Sequence, residues 1–133
     1  MVATGESEKI TINLGPVDLG QIDLLVLEGF YSNRTDLIRT AIRTQLATHA
    51  ETVRRSVARK TLTLGVQHYT RSDLEALRAA GETVRVNVLG LASIDDDVSP
   101  ELALATIESV LVLGALRARP AVRAALAGRI RSP

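Results

Sequence analysis

At 133 residues the chain can form one ordinary domain or two small ones, and 46% hydrophobic with 23% charged residues argue against a disordered chain. Sixteen basic against fifteen acidic residues leave a formal charge of +1, so a nucleic-acid partner has to be inferred from local pattern rather than bulk charge. The lack of cysteine excludes disulfides and thiolate chemistry, and one Phe with two Tyr leaves almost nothing for a base-stacking platform on single strands. Residues 1–8 are polar and acidic, an expected N-terminal arm without the apolar stretch of a secretion signal. Nowhere does the chain approach the roughly 18 consecutive apolar residues that span a bilayer, so the expectation is a cytoplasmic protein with no membrane partner.

Lys9–Leu14 alternates polar and apolar, which sends Ile10, Ile12 and Leu14 to one face of a strand and Lys9, Thr11 and Asn13 to the other. Gly15 and Pro16 end it. Between Val17 and Leu27 the residues Ile22, Leu25 and Val26 recur at helical spacing, widened by Leu19, Leu24 and Leu27, and Gly29 offers a left-handed stop. A second helix is predicted from Asn33, whose side chain can cap it, with the Asp36 carboxylate three residues on. Its inward stripe reads Ile38, Ala41, Ile42 and Leu46, while Arg34, Arg39 and Arg43 fall mainly on other faces.

One strand followed by two helices leaves backbone donors and acceptors unpaired on both strand edges. Pairing with the same strand of a second chain satisfies them and lets two copies of the helix pair bury apolar faces too wide for about forty residues alone. Ile10, Ile12, Leu14, Ile22, Leu25, Val26, Ile38, Ile42 and Leu46 are the candidate core of that homodimer.

The alternating strand, the Glu28-Gly29 helix end and the run Tyr31-Ser32-Asn33-Arg34-Thr35-Asp36-Leu37-Ile38-Arg39-Thr40-Ala41-Ile42-Arg43 resemble the ribbon-helix-helix, or CopG-like, regulators, a group that includes the Arc and MetJ repressors. The resemblance covers residues 9–46. It implies a homodimer that inserts an antiparallel β-ribbon into the major groove of double-stranded DNA, with Lys9, Thr11 and Asn13 reading base edges. It also sets the backbone amides near Asn33, Arg34 and Thr35 against a phosphate. The residue types suit these roles: Lys donates to guanine, Asn pairs with adenine, Thr meets either, and a helix N-terminus attracts an anion without needing a cation. The plainer reading of the ribbon is a half-solvated strand used only to dimerise.

Between Phe30 and Leu64 there is no Gly or Pro, and Leu46, Ala50, Val53 and Val57 continue the apolar stripe, so the second helix either runs on or breaks near His49. Residues 50–60 read as a helical linker. Arg54, Arg55, Arg59 and Lys60 are candidates for flanking phosphate contacts, or else a solvated face that complements a helix C-terminus.

Beyond residue 61, Thr63-Leu64-Gly65, Val88-Leu89-Gly90 and Val112-Leu113-Gly114 recur at strand ends, each followed by a helix signal. These signals are a capping box at Ser72-Asp73-Leu74-Glu75, a Ser99 cap with Pro100 behind it, and Pro120; Gly81 and Gly128 close two of the helices. Three strand-loop-helix repeats resemble a short leucine-rich-repeat-like α/β solenoid, without that family's consensus asparagine. Near-continuous apolar strands such as Val110–Leu113 suit a parallel sheet. Only residues 129–133 follow the last repeat, so an uncapped end is expected to associate, joining dimers into higher oligomers.

The fold class expected is α+β: a ribbon-helix-helix unit over 9–49, a helical linker over 50–60 and a repeat-built unit over 61–133 for association or sensing. Asp95, Asp96 and Asp97 are consecutive and point in different directions, which suits a loop better than a metal site, and His49 and His68 are too few for a multi-histidine centre. With no phosphate loop, nucleophile elbow or triad, no cofactor, metal or enzymatic activity is expected. The leading function is a sequence-specific transcriptional repressor. The alternatives are an assembly scaffold and an antitoxin, the latter disfavoured because the C-terminal half is apolar and periodic rather than a polar tail.

Overall fold

The computed structural model describes residues 7–131, which form two compact units, one holding Lys9–Ser56 and the other residues 7–8 with 57–131. Residues 1–6 of the expected arm and 132–133 of the expected repeat unit lie outside the described residues.

In the first unit, Lys9–Leu14 forms no strand within the single chain, as expected of a segment with no partner inside it. Helix α1 (Pro16–Leu27) begins with Pro at its first position, where the missing amide costs nothing, and is followed by Gly29 at φ +86°. Helix α2 (Arg34–Thr48) is capped by Asn33, whose side chain accepts from the Asp36 amide at 2.8 Å. The Asp36 carboxylate reaches back to the Ser32 amide at 2.9 Å. The helix breaks at His49 for a local reason. The Thr48 hydroxyl donates to the Gln45 carbonyl at 2.6 Å, the acceptor that the His49 amide would use in a continuing helix, and that amide turns to Leu46 instead. Helix α3 (Ala50–Arg59) follows. No residue of α1, α2 or α3 is buried in one chain.

The second unit runs β1 (Thr63–Tyr69), α4 (Arg71–Ala79), β2 (Val84–Ile94), α5 (Pro100–Thr106), β3 (Ile107–Arg117), α6 (Pro120–Leu126) and β4 (Ile130–Arg131). All four strands are parallel, in the order β1-β2-β3-β4. The whole is thus a mixed α/β fold. A buried core lies between the sheet and the helices, with Val86, Val88, Ala92, Ile94 and Val110 from the strands meeting Leu74, Leu102, Ala103, Val122 and Leu126 from the helices.

Several expectations for this unit are corrected. The capping box of α4 lies at Thr70 and Asp73, because the helix begins directly after β1 and Ser72 falls inside its first turn. Ser99 does cap α5, accepting from the Leu102 amide at 3.1 Å. The three glycines lie within strands, not at their ends, and pair across the sheet, Gly65 with Gly90 and Gly90 with Gly114. Gly81 closes α4 at φ +68°, but Gly128 sits in a 3-10 turn that continues α6. Among the described residues the last long strand is not bare, since Ile130 and Arg131 pair with Val110 and Leu111.

Candidate nucleic-acid interface

Lys9, Thr11 and Asn13 are all exposed, and so are the apolar residues between them, Ile10 at 73% and Ile12 at 54%. One chain therefore presents the prospective reading side chains and, on alternate positions, the apolar row that a second copy would cover. Ile22, Val26 and Ile38 are half-buried, while Leu25, Ile42 and Leu46 are exposed, so the candidate dimer core remains open in a single chain.

At the start of α2 the Asn33 side chain satisfies the Asp36 amide. Among the described residues no acceptor meets the amides of Asn33, Arg34 or Thr35, which leaves them available to an anion. The Arg34 side chain is engaged elsewhere. Its guanidinium grips Asp23 of α1 in a two-pronged pair, Nε to Oδ1 at 2.7 Å and Nη2 to Oδ2 at 2.8 Å. Hydrogen bonding from Arg34 holds the Asp23 carboxyl below the usual carboxylate range, and Asp23 raises the Arg34 guanidinium in turn. Any phosphate contact by Arg34 thus falls to its backbone amide, while its side chain ties α1 to α2. Sequence reading missed this pair because the two residues lie on different helices and share no local motif.

In the basic run, Arg54 is paired with Glu51 one turn earlier on α3, whereas Arg55, Arg59 and Lys60 are exposed. At the carboxyl ends of β1–β3 a cavity of about 740 Å³ is lined by His68, Asp95, Asp96, Arg117 and Arg123, with Glu8 at Arg117. Asp95 accepts from His68 Nε2 at 2.9 Å, and among the described residues no three His, Cys, Asp or Glu side chains converge on one point. No helix among the described residues is long and apolar enough to cross a membrane.

Residues 5–123 match the ribbon-helix-helix transcriptional regulator family. The chain belongs to that family. The match runs through β1, β2 and β3 of the second unit into α6, so the resemblance read over residues 9–46 is corrected to nearly the whole chain. Comparison with curated proteins and with solved structures finds no match.

Proposed function

We propose that the chain is a homodimeric, sequence-specific DNA-binding regulator of transcription, acting as a repressor in the cytoplasm by binding rather than by catalysis. Two Lys9–Leu14 segments pair as an antiparallel ribbon, and six side chains, two each of Lys9, Thr11 and Asn13, read base edges in the major groove. The free amides at the start of α2 clasp a phosphate on each side, which lets a nearly neutral chain bind a polyanion. One observation carries the reading: α1 and α2, which bear Ile22, Leu25, Val26, Ile38, Ile42 and Leu46, hold no buried residue in a single chain, which a second copy remedies. Residues 61–133 are read as a short repeat-built unit serving association or sensing.

Selection of bound fragments from random duplex DNA tests the proposal and should return inverted or tandem half-sites. Affinity should fall steeply with salt, in proportion to the phosphates contacted. A second reading, an assembly scaffold that uses the ribbon only to dimerise, is favoured by the single charged side chain on the reading face. A flat salt response and no enriched sequence would select it.

A further inference from the structure

The sheet of the second unit has its helices on one face only. On the other face the strand pairing lines up two aliphatic rows, Leu64–Leu89–Leu113 and Val66–Leu91–Ala115, with Leu111 beside them. None of these residues belongs to the buried core or packs against it, and Leu64 is 66% and Val66 51% exposed. Charged groups lie toward the strand ends, Arg85 with Glu108 at one and His68 with Asp95 at the other, so the middle of the face carries no charge. All-parallel sheets occur almost only with both faces covered. Something therefore covers this one.

Its size narrows the occupant. Three strands about 4.8 Å apart, over about five residues of 3.3 Å each, give a patch of roughly 230 Å². A partner captured from solution needs about 800 Å² per side. A patch this small holds only a partner kept at about millimolar local concentration by a tether. The ribbon dimer supplies one, because each chain carries its own second unit on the end of the same dimeric N-terminal unit. The chain's own N-terminal helices are tethered too, but of their apolar side chains Ile22, Leu25, Val26, Ile38, Ile42 and Leu46 go to the proposed dimer core.

We infer that the aliphatic face centred on Leu89 and Leu91 packs against the same face of the second copy, inside the dimer that the ribbon holds together. The contact is isologous, with the central strand of each sheet over that of its partner. This inference rests on the ribbon-dimer reading and names a second surface within it.

The chain lacks cysteine, so a single introduced thiol reports without ambiguity. In the full-length protein Leu64→Cys should react with a small maleimide at least tenfold more slowly than Ala76→Cys, an exposed position on α4. Adding Ile12→Asp, which breaks the ribbon, should restore the fast rate. Val66→Cys repeats the measurement should Leu64→Cys misfold. Equal rates at positions 64 and 76 in a protein that sediments as a dimer overturn the face pairing and leave the ribbon standing. Slow labelling that persists with Ile12→Asp also overturns it, since the cover is then the chain's own N-terminal unit. A wild-type protein that sediments as a monomer removes the ribbon first and the face pairing with it.

Discussion

Gly65, Gly90 and Gly114 adopt φ values of +121°, +136° and +124°, a backbone conformation open in practice only to glycine. A Cβ on Gly90 would lie 2.1 Å from the Gly65 carbonyl oxygen, whereas one on Gly65 at the sheet edge would meet nothing within 4 Å. Gly65→Ala should therefore cost only backbone strain, about 1–3 kcal/mol. Gly90→Ala adds a clash with backbone that cannot turn aside, and its loss should be clearly the larger. Urea denaturation of the two variants compares them, and equal losses would remove the clash from the account. Three carboxylates are also held below their ordinary range: Asp23 by hydrogen bonds from Arg34, Glu108 by Arg85, and Asp73 by the backbone amide of Thr70. A lowered folded-state value means stability that is present above the unfolded value, about 3.9 for Asp and 4.3 for Glu, and is lost as pH falls through the folded one. Thermal melts should be level across these groups from pH 7 to about 5 and drop below about pH 4. Asp23→Asn should flatten its share of that drop.

The cap of α2 separates stability from binding. Asn33→Ala should cost about 1 kcal/mol by freeing the Asp36 amide. Asn33→Asp keeps an acceptor there, and so keeps the helix, while its charge opposes a phosphate; urea denaturation beside a DNA-binding isotherm should show stability held and affinity lowered. Elements specified by neighbours in sequence were legible: α1 from its Pro and Gly boundaries, α2 from Asn33, α5 from Ser99 and Pro100, and the three long strands from their recurring apolar-glycine signature. The cap of α4 was misplaced because two overlapping boxes fit the same stretch, and the direct join of β1 to the helix decides for Thr70. Strand β4 was invisible, since two residues earn a strand only from the ladder beside them. Of the candidate interface, the polar row and the helix start could be read from residue order, but the occupation of Arg34 by Asp23 depends on how two helices meet.

At the scale of the whole molecule the two units should differ in how they melt. The second has its own buried core, whereas the helices of the first hold no fully buried residue in a single chain, so the first should unfold in a transition whose midpoint rises with protein concentration. Ile12→Asp should abolish that transition and leave the sheet's own, as circular dichroism across a hundredfold dilution range would show. The second unit also faces a hazard common to parallel sheets, whose distant strands find each other slowly. The aligned glycines bear on it. In the native pairing, the Gly65 and Gly90 carbonyls each nest against an α-carbon that carries no side chain. A strand displaced by one or two positions would press the side chain of a leucine, valine or alanine into that space, so misaligned sheets should be rejected while they form, the molecule proofreading its own assembly with atoms it does not have.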